Sequence, residues 1–309
     1  MRAFIISLAL GAAHAGSFAT PECVQEYSEC QADDECKDNS ILLPTYAACR
    51  LRIIDTESTK VPCGTLFLGD SNIDAWISSP QFLGSNNAGV ASSTCAMIKT
   101  WTQDFLDKTQ PCTVVLHCGE NDLMAGAELG GDTPENTLGH MKDIYHKLKD
   151  GNVKRIIFVG AMREPGSCPD PEGEQSTFEE LYKIGTEETP SFCNFPVHLE
   201  YNELVQNDKE LKEDPNFHYI DADGLFFALD PPNPRELYFE ADGLHLTKKA
   251  YAILNDAVAR VMEDTCEDLV CGCDEPSQDA GNSRRLLFGS FPGAPAATCD
   301  RSSMGLPCA

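Results

Sequence analysis

Three short polar groups in this sequence could cooperate in acyl transfer, and each stands beside a regular element. Ser71 follows the apolar run Thr65 to Leu68 through Gly69 and Asp70, Asn121 follows the run Thr113 to His117, and Asp242-Gly243-Leu244-His245 precedes a helical pattern. A serine hydroxyl is a weak nucleophile until a base takes its proton, and the base must be held in the correct tautomer by a third group. Asp242 and His245 are three residues apart, a spacing that places carboxylate and imidazole on one side of a helical turn. Asp242 can then accept from one ring nitrogen while the other faces Ser71. The Asn121 amide can join backbone N–H groups as a donor to the oxyanion of a tetrahedral intermediate. Taken singly, each has a plainer reading. Ser71 could cap a helix, Asp-x-x-His arises by chance in so acidic a chain, and Asn121 could satisfy a turn. Their joint occurrence, in order and at strand ends, points to a site.

The elements that must carry these groups read as a parallel α/β sheet. From Val61 onward, short apolar and β-branched runs alternate with longer helical patterns, which is the signature of βαβ units covered on both faces. Strands are expected at Thr65 to Leu68, Thr113 to His117, Arg155 to Gly160 and His218 to Ile220. Helices are expected over Ser93 to Asp107, Pro134 to Asp150, Val197 to Leu211 and Thr247 to Met262. Pro134 near one helix start and Gly151 after its end are start and stop signals. In such a sheet, ligands bind outside the carboxyl ends of the strands, where Ser71 and Asn121 fall.

These residues resemble the four sequence blocks of the SGNH (GDSL-type) hydrolases. The matching segments are Phe67-Leu68-Gly69-Asp70-Ser71, Asn87-Ala88-Gly89-Val90, Gly119-Glu120-Asn121-Asp122 and Asp242-Gly243-Leu244-His245-Leu246, in that order, within Val61 to Met262. The resemblance implies a three-layer α/β/α sandwich with a flavodoxin-like parallel sheet. It also implies a serine esterase acting on carboxylic esters through an acyl-enzyme, with no metal or organic cofactor. Ser71 would be the nucleophile and first oxyanion donor, Gly89 N–H the second and the Asn121 amide the third. His245 would be the base and Asp242 its orienting acid. One departure is visible, because the residue after the serine is usually apolar in this family and here is Asn72. Substrates in view are short-acyl, lipid or acetylated-carbohydrate esters. The alternatives are transacylation by the same residues, or an inactive scaffold that binds cell-surface glycans.

The rest of the chain bounds these expectations. With 309 residues, it can hold one large core plus appendages. Residues 1–15 read as a signal peptide, from a basic Arg2, a short apolar run and the Ala13-His14-Ala15 cleavage pattern, so the product is expected outside the cell. Residues 16–58 form a cysteine-rich segment with too few apolar residues for its own core, residues 59–265 the hydrolase domain, and residues 266–309 a cysteine-, Pro- and Gly-rich tail. The odd total of 15 cysteines means that at least one thiol is free or pairs with another chain. Cys118, inside an apolar strand, is the expected free thiol. Cys63 with Cys112, and Cys168 with Cys193, are possible pairs. A formal charge of −26 disfavours nucleic acid and anionic membrane surfaces as partners. No run reaches the roughly 20 apolar residues of a membrane span. His117 reads as a satisfied core histidine, Trp76 and Phe82 as core packing, and Asp221-Ala222-Asp223-Gly224 as a weak hint of a calcium loop that lacks the later ligands.

Overall fold

A computed structural model describes residues 39–57, 64–76, 82, 85–123, 131–164, 195–227, 237–240 and 243–264. The chain divides into a unit over Met1–Leu269 and another over Val270–Ala309, and every described residue lies in the first.

Among the described residues, five strands form one parallel sheet: β1 (Thr65–Gly69), β2 (Asn86–Gly89), β3 (Thr113–His117), β4 (Arg155–Val159) and β5 (Phe217–Ile220). Their order is β2-β1-β3-β4-β5, so the chain first moves outward to β2 and then crosses back beyond β1. That reversal creates a switch point between β1 and β3, which pair in register from Thr65↔Thr113 to Gly69↔His117. A crevice at the carboxyl ends of these two strands is the usual ligand position in an open parallel sheet.

Strand periodicity sorts the core into two layers. Leu66, Leu68, Val114, Leu116, Ile156 and Phe158 face one side. There they meet the helices over Cys95–Thr109, Pro134–Asp150 and Phe195–Asn207. Phe67, Val115, Ile157 and Val159 face the other side, against Tyr251, Leu254 and Val258 of the helix over Lys248–Asp264. Among the described residues the helices are, in chain order, α1 (Asn39–Glu57), α2 (Ser71–Asp74), α3 (Cys95–Thr109), α4 (Glu120–Leu123), α5 (Pro134–Asp150), α6 (Phe195–Asn207), α7 (Lys209–Glu213), α8 (Ala222–Phe227) and α9 (Lys248–Asp264). The three-layer arrangement is the one expected from the sequence.

Local chemistry accounts for the boundaries. Thr94 and Thr133 cap α3 and α5 by accepting from the N–H groups of Met97 and Asn136. The single helix expected over Val197 to Leu211 is instead broken at Asp208. The backbone there is extended, and the side chain accepts from Leu211 N–H at 3.1 Å to start α7.

Two findings alter the sequence picture. Cys118 is not free, because it is disulfide-bonded to Cys95. Cys112 is also disulfide-bonded, while Cys63, Cys168 and Cys193 lie outside the described residues. The second finding is α1, which falls within the cysteine-rich segment yet buries Tyr46, Ala47 and Cys49 against Val90, with Met97 and Trp101 packed alongside. Residues 1–15 and the tail from residue 265 are outside the described residues.

Candidate active site

The turn that carries Ser71 is built by close packing. A Cβ on Gly69 would lie 2.3 Å from the His117 carbonyl oxygen and 2.4 Å from Ile73 Cγ1, so only glycine lets β1 enter α2 this tightly beside β3. Asp70 caps α2 by accepting the Asn72 N–H at 3.0 Å. Ser71 is thereby fixed as the first residue of the helix, half-buried at the carboxyl end of β1.

Gly89 ends β2 directly beside this turn. A Cβ there would lie 2.1 Å from Asp74 N, so glycine is required by close approach. Gly89 N–H donates to Asn87 Oδ1 at 2.9 Å, and Asn87 Nδ2 donates to the Ile73 carbonyl at 2.6 Å. An oxyanion at Gly89 would therefore share this N–H with Asn87. The Gly89 carbonyl accepts from Arg50 Nε of α1 at 3.1 Å. Arg50 is also ion-paired with Asp74, whose other oxygen accepts from Tyr46 OH at 2.9 Å.

Asn121 sits in α4, after β3, with its Nδ2 donating to the Ser93 carbonyl at 3.1 Å. The turn into α4 uses Gly119 at φ +122°, where a Cβ would also strike Tyr201. Asp122 accepts the Cys95 N–H through both oxygens, at 3.1 and 2.8 Å, at the start of α3. Burial raises its carboxyl to about 6.

His245 comes from the last connection. Gly243, at φ +70°, allows the reversal, and Phe239 bridges Leu246 while Glu240 N–H donates to the His245 carbonyl at 2.7 Å. The following helix docks on the turn that carries Ser71: Tyr251 OH donates to the Asn72 carbonyl at 2.8 Å, and Trp76 Nε1 to Asn255 Oδ1 at 2.7 Å. Asp242 lies outside the described residues. Ser71, Gly89 and Asn121 thus stand at the carboxyl ends of three neighbouring strands, with the His245 segment anchored to the first.

Beneath Ser71 lies a buried ionic cluster that the sequence reading did not anticipate. His117 is indeed satisfied, with Nδ1 on the Val159 carbonyl at 2.9 Å, but its Nε2 lies 3.1 Å from Glu120 Oε2 and 3.9 Å from Asp70 Oδ2. Asn72, the departure from the family pattern, points into the same cluster and donates from Nδ2 to Glu120 at 2.8 Å and Glu164 at 3.1 Å. Burial alone would hold His117 neutral, but the facing Glu120 and Asp70 charges push it up to about 10. Burial would raise Glu120, and the His117 charge and its hydrogen bonds overcome that, taking it down to about 2. Burial lifts Asp70 to about 7 against the pull of His117. The Asp70, His117 and Glu120 donor atoms lie within 4.8 Å of one another, so among the described residues these are the side chains that could hold a small cation. The direct His117–Glu120 contact already closes the site as an ion pair. The only sequence signals for the cluster are the i, i+3 spacing of His117 and Glu120 and the polar Asn72.

Other candidates resolve as structure. Asp221 accepts the Gly224 N–H at 2.9 Å, and Asp223 takes the Arg163 Nε on both oxygens at 2.8 and 2.9 Å, so the calcium-like run is a helix cap plus an ion pair. Trp76 and Phe82 are buried core residues. His146 pairs with Glu210, and His140 lies 3.4 Å from Asp132.

No protein-family model matches the sequence, and no curated protein matches it. Solved structures do. A Streptococcus pneumonia protein named for platelet activating factor aligns at a TM-score of 0.50 and 14% identity, covering 79% of this chain and all (100%) of the other. A GDSL-like lipase from Bacteroides thetaiotaomicron aligns at 0.49 and 14%, covering 70% and 97%. An acetylxylan esterase from Geobacillus stearothermophilus aligns at 0.47 and 18%, covering 65% and 95%. At these identities the likeness is one of fold. With its 2-1-3-4-5 parallel sheet and two helical layers, the chain has the flavodoxin-like three-layer α/β/α fold that the sequence resemblance implied.

Proposed function

We propose that the protein is a serine esterase. Ser71 attacks the carbonyl carbon of a carboxylic ester while His245 takes its proton and Asp242 holds the imidazole. The tetrahedral oxyanion is met by the N–H groups of Ser71 and Gly89 and by the Asn121 amide. The intermediate then collapses, the alcohol leaves with the proton from His245, and water enters by the same route to release the acid. The supporting observation is the convergence of Ser71, Gly89 and Asn121 on neighbouring strand ends at the β1/β3 switch point, each on a turn that close packing holds.

The formal charge of −26 favours a neutral ester over an anionic one, since like charge slows approach. Short acyl groups, including acetyl esters of carbohydrates, fit this reading. Export through residues 1–15 belongs to the same proposal.

A fluorophosphonate probe with peptide mapping tests nucleophile activation directly, and the expected label is on Ser71. Ser71→Ala should lose all detectable turnover of p-nitrophenyl acetate with its thermal unfolding unchanged. Full activity in that variant would refute the assignment.

A further inference from the structure

Of the three oxyanion donors in the reading above, two are backbone N–H groups, at Ser71 and Gly89, and the sheet and its turns fix them. The third is the side-chain amide of Asn121, which stands in α4, a helix of four residues. A single helical turn does not hold itself, because forming it fixes many dihedrals for few hydrogen bonds. Its position must come from its neighbours. One N–H of the Asn121 amide donates to the Ser93 carbonyl, so that carbonyl sets the direction in which the other N–H points. The placement of Ser93–Cys95 against Cys118–Asp122 therefore aims the donor.

Among the described residues, three side-chain links join these two stretches. The first is the Asn121–Ser93 hydrogen bond itself, at 3.1 Å. The second is Asp122, which accepts the Cys95 N–H at 2.8 and 3.1 Å. The third is the disulfide from Cys95, the first residue of α3, to Cys118, the residue after β3, with Cα atoms 5.3 Å apart. Hydrogen bonds can lengthen or exchange with water, and a covalent link cannot. Both cysteines are 0% exposed. Tyr201 of α6 packs against both, its OH donating to the Cys118 carbonyl at 3.3 Å and lying 3.9 Å from Cys95 Sγ. Ser93 in turn is held to the end of β2, because its N–H and Oγ both donate to the Val90 carbonyl, at 3.2 and 2.7 Å. A continuous path thus runs from the Gly89 donor through Ser93 and Cys95 to the Asn121 donor.

We propose that Cys95 and Cys118, through their disulfide, are positioning residues for the Asn121 oxyanion donor. A disulfide ordinarily acts on the unfolded chain, by restricting it, and that alone would leave the turnover of folded molecules untouched. Here the bond closes the junction from which the donor projects. Without it, Asn121 and Asp122 keep their hydrogen bonds but the two stretches can shift against each other. A donor turned away from the developing charge stabilises it less, and turnover is sensitive to such small displacements.

The proposal rests on the Ser71 and Asn121 reading above, and the test keeps the two apart. Replacing both cysteines, Cys95→Ala with Cys118→Ala, removes the link and leaves neither thiol to mispair. On p-nitrophenyl acetate, well below the melting temperature, kcat should fall about tenfold with KM within about twofold. Asn121→Ala alone should cost about a hundredfold or more. In the Asn121→Ala background, removing the disulfide should lower kcat by less than about twofold, since there is no donor left to aim. The melting temperature should fall equally in both backgrounds, which separates stability from positioning. Native kcat in the cysteine variant, or the same tenfold loss with and without Asn121, would overturn the proposal. So would a peptide map of the unreduced native protein in which Cys95 and Cys118 are not linked. Should the cysteine variant fail to fold, reduction of the native protein by a phosphine takes its place. Then kcat should fall in step with free thiol at Cys95 and Cys118, and full activity with both thiols free overturns the proposal. A native protein whose Ser71 neither labels with fluorophosphonate nor turns over ester, or whose kcat ignores Asn121→Ala, overturns the underlying reading instead.

Discussion

The two flanks of the candidate site are both held by buried charge, yet they are built differently. Below Ser71 and Asn121, the support is a cluster of acids around one histidine, drawn from the ends of β1, β3 and β4. Beside Gly89, at the sheet edge, the support is Arg50 with Asp74 and Tyr46, and two of these three come from α1. The first is internal to the strand–helix repeat and carries exchangeable protons. The second depends on a helix outside that repeat and on a guanidinium that does not titrate in proteins. The comparison teaches that one site can have a pH-sensitive floor and a pH-insensitive wall.

The largest effect should come from breaking the wall. Arg50→Met leaves Asp74, a buried carboxylate, without its cation, and removing one partner of a buried pair costs about 3–5 kcal/mol. Urea unfolding measures this, and pairing the change with Asp74→Asn should recover part of the loss. A cost near zero would mean that the ion pair is not the edge support.

A smaller effect separates floor from wall by pH. His117 has its folded value raised from 6.5 to about 10, so its contribution to stability is complete below about pH 6.5 and is lost as pH rises through about 10. Asp70, raised from 3.8 to about 7, acts with the same sign at lower pH. Glu120, lowered from 4.5 to about 2, contributes above pH 4.5 and loses that contribution as pH falls towards 2. The melting temperature should therefore decline between about pH 7 and 10, and His117→Gln should flatten that decline. Arg50→Met should lower the curve without changing its shape. A native melting temperature that is flat across this range would remove the distinction between the two flanks.

The smallest effect is at the rim of the wall. Tyr46→Phe removes one hydrogen bond to Asp74, worth about 1.5–3 kcal/mol for a bond to a charged acceptor. Chemical denaturation should place its loss below that of Arg50→Met.

Much of this was legible from residue order, and the exceptions have physical reasons. Strands β1, β3 and β4 are continuous apolar runs because both faces are covered, and Pro134 and Gly151 punctuate α5 as expected. Strand β2 has no strand signal of its own, since Asn86 and Asn87 carry no strand propensity and owe their place to pairing with Leu66 and Phe67. Helix α1 was hidden because its buried face, Tyr46, Ala47 and Cys49, finds its apolar partners in Val90, Met97 and Trp101, some 40 to 55 residues away in sequence. Cys118 looked like a buried free thiol because nothing local signals Cys95, 23 positions away. Ser71, Gly89, Asn121 and His245 were legible as motif positions. The acid cluster beneath them was not, because Asn72 and Glu164 meet across 92 residues of chain and no periodicity records such a pairing.

Helix α1 also bears on where this chain can be cut. The change in composition at Val61 invites a fragment that starts there and keeps all four sequence blocks. Such a fragment would discard Tyr46 and Arg50, strand the Asp74 carboxylate, and uncover Val90 and Trp101 at an open sheet edge, a surface suited to self-association. The shortest piece that keeps the Gly89 wall intact begins upstream of Tyr46.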